Sequence, residues 1–350
     1  MVACCGLALT TRRICDMSEP NGTDGDMCGG VYHSRFAALA AATLLAVPVA
    51  RAVASDPPSK GLHVPPGLEP SRVAWAQSSH AVRGRTVHQT LVAEMFEEAM
   101  MQVTGAGSVE AAWRTILGSQ DVVGIKFDPV GAPELGTAPV VGSILIESLL
   151  RAGWTSRRIV LIDGPPQLAR RYGTQPAWSG YDDEQTDFGS GKDQLAAALE
   201  QVTAIINVPS LKTDNVCGIR CSLSNISLGL LKHPARFRVN GCSPYIADIA
   251  ALPEVRSKLK LCVVDALRVV CDGGPLVIES EASNEGILLI STDPVAADSV
   301  ALKIVNTARR RMGLEPVARS AADVPSIADS HRKGLGIASR RGIDILREVR

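Results

Sequence analysis

One lysine and four aspartates, Asp128, Asp163, Lys212, Asp265 and Asp293, each fall at or just past the end of an apolar, β-branched run. Carboxylates gathered at one place repel one another unless a cation shares the site. Their chemistry is therefore either a divalent metal on oxygen ligands, with Asp128 and Asp265 as the ligands, or an ammonium–carboxylate network around Lys212. Two of the acids also have simpler explanations. Asp293 stands directly before Pro294, where it can cap a helix, and Asp163 precedes Gly164-Pro165-Pro166, where it can open a turn.

The same stretch offers softer ligands. Cys217, Cys221, His233 and Cys242 could hold zinc or an iron–sulfur centre, but their spacing matches no tight knuckle and no CxxCxxC run occurs, so paired or spare thiols explain them better. "GSGK" (189–192) lacks the upstream glycine and the following Ser or Thr of a phosphate loop. His88 and His331 read as surface residues in charged helical surroundings, and Arg309-Arg310-Arg311 as a solvated helix end favoured by the helix dipole.

These residues need a frame that brings them together. Hydrophobic residues make up 46% of the chain but aromatics only 4%, so the core must be built from aliphatic side chains, as in a sheet covered by helices. "DVVGIKF" (121–127), "RIVLID" (158–163), "TAIINV" (203–208), "LCVVD" (261–265) and "GILLIS" (286–291) read as strands. Between the first two, residues 137–152 form an apolar helix closed by Gly153, and a crossover through a helix makes the strands parallel. Val87, Leu91, Met95, Ala99 and Val103 mark an amphipathic helix that stops at Gly105, and Ser108 caps a short second one. The expected fold is α/β: a doubly wound, mainly parallel sheet with helices on both faces. In such sheets ligands bind beyond the carboxyl ends of the strands, which is where the four aspartates and Lys212 would converge if all five strands run the same way.

Residues 1–54 read as a signal peptide. "FAALAAATLLAVPVA" (36–50) is a 15-residue apolar run after Arg35, with small residues suited to cleavage near Ala54, and it is too short for a span of about 20 residues. The acids Asp16, Glu19, Asp24 and Asp26 do not suit an n-region, which points to translation from Met27 or Met17. Residues 55–84, rich in Pro, Gly and Ser, read as an extended leader, and 85–350 as one α/β domain. The expected protein is exported, periplasmic or extracellular, with no transmembrane anchor once the signal is cleaved. Basic and acidic residues balance at 36 each, which argues against nucleic acid as a partner. Five cysteines follow residue 54, an odd number that excludes a fully paired disulfide scaffold.

Four ordered blocks, "DVVGIKFDPVGAPELGTAPVV", "INVPSLKTDNVCGIRCSLSNISLG", "CSPYIADIAALPEVRSKLKLCVVDALRVVCDGGP" and "LLISTDPVAADSVALKIV", resemble the domain of unknown function 362 family, especially its exported branch, over about residues 86–345. The resemblance implies frequent export by the twin-arginine route, an association with iron–sulfur proteins, and no agreed reaction. Lys212, Asn215, Asn225 and Gly229 match the family pattern. Asp214 stands where relatives usually carry a histidine, and Ser224 where they carry a lysine before the asparagine. The chain has no ferredoxin-like cysteine run, so no iron–sulfur cluster is expected on this chain alone. The combined expectation is a small anionic or metal-bearing ligand at the strand ends. Lys212, Asn225 and Asp265 would act as the catalytic set and Asp128, Asn215, Asp163 and Asp293 as ligand-binding residues. The alternative is a non-catalytic accessory protein with a redox or iron–sulfur partner.

Overall fold

Apolar runs flanked by glycine and proline become strands because β-branched side chains fit a pleated surface covered on both faces. In the computed structural model, which describes residues 69–350, ten such segments form one sheet. They are β1 (Ser71–Gln77), β2 (Val123–Phe127), β3 (Ile159–Ile162), β4 (Gln175–Pro176), β5 (Ala204–Val208), β6 (Ser210–Asp214), β7 (Gly218–Arg220), β8 (Leu259–Val270), β9 (Ala282–Ser291) and β10 (Ile343–Val349). The spatial order is β10-β1-β9-β8-β5-β2-β3-β4, with β6 alongside the far half of β8 and β7 paired to β6.

Helices cover both faces, as expected. On one side lie α1 (Gln89–Thr104), α2 (Val109–Ile116), α3 (Ala138–Arg151) and α4 (Pro166–Tyr172), whose Met95, Phe96, Trp113, Leu145 and Leu168 pack on Ala74, Ile125, Ile206 and Val263. On the other, the short helix α5 (Ser222–Asn225), α6 (Tyr245–Ala250), α7 (Pro294–Arg311) and α8 (Pro325–Arg332) supply Leu223, Ile246, Val300, Ile304 and Ile327 against Val73, Ile205 and Val264. Neighbours along a strand go to opposite cores, as a period of two requires.

The sequence-based caps hold. The Ser108 hydroxyl accepts from Ala111 N–H, Gly105 closes α1 at φ 70°, and the Asp293 carboxylate caps α7. Among the described residues no helix is long and apolar enough to cross a membrane. The signal-peptide reading, and the leader as far as residue 68, fall outside the described residues.

Three expectations differ from the structure. Strands β2, β3, β5 and β8 are parallel, but β9 runs against β8, so Asp293 emerges at the opposite edge from Asp128 and Asp163. Residues 71–77, placed in the leader, form β1 between β9 and β10, with Val73, Ala74, Trp75 and Ala76 buried. The polar stretch after β5 is a strand pair. Pro209 cannot donate to the ladder and ends β5, and the chain resumes as β6 along the second half of β8, Ser210 opposite Asp265 and Lys212 opposite Val270. His331 is also buried, its Nδ1 near Gly336 O and Ala338 N.

Candidate functional site

The switch from β5 to β6 puts Lys212 inside the protein, directly across from Arg220 on β7. Two cations facing each other repel, and burial makes this worse. Asp128, just past β2, resolves the conflict. Its carboxylate accepts from Lys212 Nζ at 2.7 Å and from Arg220 Nε at 3.2 and 3.3 Å, with Val130 N–H at 3.0 Å. Burial pushes the Asp128 carboxyl upward, but the two cations outweigh it and hold it down at about 2. Burial in turn lowers the Lys212 ammonium, against the pull of Asp128.

A further buried cation was missed in the sequence. Lys126, inside "DVVGIKF", is as buried as its apolar neighbours; its Nζ meets Asp163 Oδ2 at 2.8 Å, Phe127 O at 2.8 Å and Asn225 Oδ1 at 3.3 Å. The signal was present, because a lysine within a fully buried strand requires a partner. Asn225 also donates to Asn207 Oδ1 at 2.7 Å, and Asn207 donates to Ser222 O at 3.0 Å, so a buried amide pair fixes the lysine. Asp163 adopts a left-handed backbone at φ 53°, which aspartate tolerates, and leaves 40% of its side chain exposed.

That exposure opens into a cavity of about 640 Å³ beyond the ends of β2 and β3. Asp163, Arg220, Lys232 and Arg238 line it among mainly apolar residues, together with Trp178 and Tyr181. Gly229 also lines it, and a Cβ there would lie 3.2 Å from Lys126 Nζ, so only glycine leaves the ammonium uncrowded. Arg238 is held by both oxygens of Asp214, at 3.0 and 3.1 Å. Asp214 also accepts from Val216 and Cys217 N–H at 2.9 Å each, so it anchors the cavity wall. Ser224 closes the cap of α5, its hydroxyl accepting from Cys221 N–H.

Arg220 is the informative member of this wall. Only 8% of its side chain is exposed, and Nε alone is hydrogen-bonded; its two terminal nitrogens make no hydrogen bond among the described residues. The Asp128, Lys212 and Arg220 cluster thus holds two cations against one carboxylate, with spare donors on the residue that faces the cavity.

The other sequence candidates are scattered. Asp265 accepts from the Thr137 hydroxyl and from Leu267 N–H at 3.2 Å; burial pushes it up to about 6, and the Lys212 charge only partly offsets this. It sits where β8 changes partner and does not line the cavity. Asn215, at the β6–β7 turn, lines a separate hollow of about 430 Å³. Asp293 caps α7 at the far edge through Val295 and Ala296 N–H, and also binds Ile337 N–H and Ser71. Of the pair expected as metal ligands, Asp128 is engaged by two cations and Asp265 by a hydroxyl and an amide.

The soft-ligand set does not converge either. Cys217 and Cys242 form a disulfide, which removes both thiolates. The Cys221 thiol is buried at the start of α5 and pushed well up by burial and the neighbouring Asp298. His233 Nδ1 lies 2.9 Å from Asp193. Among the described residues no group of three or more His, Cys, Asp or Glu could hold a metal ion.

The architecture is an α/β protein with a doubly wound, mainly parallel sheet and a cation-lined cavity at the strand ends. The family described as "Domain of unknown function (DUF362)" matches residues 123–303, more than half of the chain, from β2 into α7. The chain belongs to the domain of unknown function 362 family. No curated protein matches it.

Proposed function

We propose that this protein is exported and binds a small molecule through an oxyanion, a carboxylate or phosphate, in the strand-end cavity. Arg220 carries this reading. A guanidinium more than nine-tenths buried, fixed at Nε by Asp128 and left with free terminal donors on a cavity wall, is organised to grip an oxyanion through two parallel N–H groups. Burying Arg220 beside Lys212 is costly, and a bound anion would offset part of that cost. Lys232, whose Nζ donates only to Gln194 among the described residues, adds charge to the lining. The occupied state of Asp128 favours the anionic ligand over the metal-bearing one. Export is supported by the apolar run at residues 36–50 and by the disulfide, since such bonds persist in oxidising compartments. Amino-terminal sequencing of the secreted fraction tests it; a chain retained uncleaved in the cytosol would count against export.

Isothermal titration of the full chain with inorganic phosphate and with succinate tests the site. Wild type should bind at least one of them, more weakly as salt rises. Arg220→Gln, which keeps the Lys212–Asp128 pair, should weaken that binding at least about tenfold with the circular dichroism unchanged. Equal affinity in wild type and variant would overturn the assignment.

A further inference from the structure

The cavity is larger than a bare oxyanion needs, and its volume of about 640 Å³ is that of a site for a drug-sized molecule. Its cations cluster on the segment 220–238, whereas the loop 177–181 brings two aromatic residues to the same cavity. Trp178 is 54% exposed and Tyr181 42%, although the remaining tryptophans, Trp75, Trp113 and Trp154, are all buried.

The aromatic loop is not slack. Trp178 N–H donates to Gln201 Oε1 at 2.8 Å, and Gln201 Nε2 donates back to Pro176 O at 3.0 Å. Tyr181 forms a β-bridge with Ala196, and Ala197 N–H donates to Gly180 O at 3.2 Å. The backbone is therefore tied down on both sides while the two rings stay uncovered. Burying such rings is strongly favourable, so leaving them open on a fixed support is a preorganised stacking surface.

We infer that the ligand is an oxyanion attached to a planar aromatic ring, its charged group on Arg220 and its ring on Trp178 and Tyr181. This rests on the oxyanion reading above and adds the nature of the ligand's body. The oxyanion can be a carboxylate or a phosphate, and the probes separate the two.

Four probes are titrated into the full chain, followed by heat and by tryptophan fluorescence: naphthoate and hexanoate as carboxylates, adenosine monophosphate and inorganic phosphate as phosphates. In at least one pair the aromatic member should bind roughly tenfold tighter than its partner, and that pair identifies the oxyanion. It should also quench the exposed Trp178. The double variant Trp178→Ala/Tyr181→Ala should lose the aromatic preference and keep the weaker affinity for the aromatic ligand's partner. Equal affinities within both pairs, or a preference that survives the double variant, would overturn the aromatic assignment alone. No binding by any of the four would overturn the oxyanion reading with it.

Discussion

The two edges of the sheet treat an engaged aspartate in opposite ways. At the far edge, Asp293 is saturated: one oxygen takes two helix N–H groups, the other takes Ile337 N–H and the Ser71 hydroxyl, and a Cβ on Gly336 would lie only 1.9 Å from it. At the near edge, Asp128 is also fully engaged, but one of its partners, Arg220, has donors left over and faces a cavity. A buried polar group whose donors and acceptors are all used is holding structure. One with unused donors beside an open volume is waiting for something from outside. Burial alone does not separate the two cases; the accounting of partners does.

The largest expected effect breaks the near edge. Asp128→Asn leaves Lys212 and Arg220 facing each other without a counter-charge and should destabilise the fold by about 3–5 kcal/mol in urea unfolding at neutral pH. A loss below about 1 kcal/mol would mean that the cluster is not electrostatically coupled.

A pH series sharpens the comparison within the same edge. Asp128, held down at about 2, contributes stability above the unfolded value of about 4, and that contribution is lost as pH falls through 2. Asp265, pushed up to about 6, has the opposite sign: its folded form favours the proton, so its contribution is full below about 4 and is lost as pH rises through 6. Asp265→Asn mimics the protonated acid. Relative to wild type it should gain on the order of 2 kcal/mol in stability between pH 4 and pH 7. A difference independent of pH would show that Asp265 ionises normally.

The smallest effect belongs to the far edge. Asp293→Ala removes a helix cap and should cost about 1–2 kcal/mol in thermal unfolding, leaving phosphate and succinate affinities as in wild type. A matching loss of affinity would erase the distinction between the edges.

Much of this frame was legible in the sequence because it depends on local chemistry. The parallel strands, the caps at Ser108 and Asp293 and the stop at Gly105 follow from periodicity and side-chain reach. Strand direction does not. "GILLIS" is apolar whether it runs with or against its neighbours, so the aspartates could not be sorted between edges. The strand pair after Pro209 was hidden because Lys212, Asp214 and Arg220 look like loop residues until each is matched with its distant partner. Lys126 could have been found, since a charge within an apolar strand must be answered. Nothing local marks Arg220 as having spare donors, because that depends on which of its nitrogens Asp128 reaches.

Cys217 and Cys242, 25 residues apart, bracket the segment that contributes Arg220, Lys232 and Arg238. Four like charges, Arg236 among them, share one short ring and push outward, and ion pairs to Asp128 and Asp214 restrain two of them. The sulfur bridge needs no counter-charge, and by limiting the freedom of the unfolded chain it adds roughly 3 kcal/mol. This charged segment is thus fastened by a covalent tie that solution conditions short of reduction do not loosen.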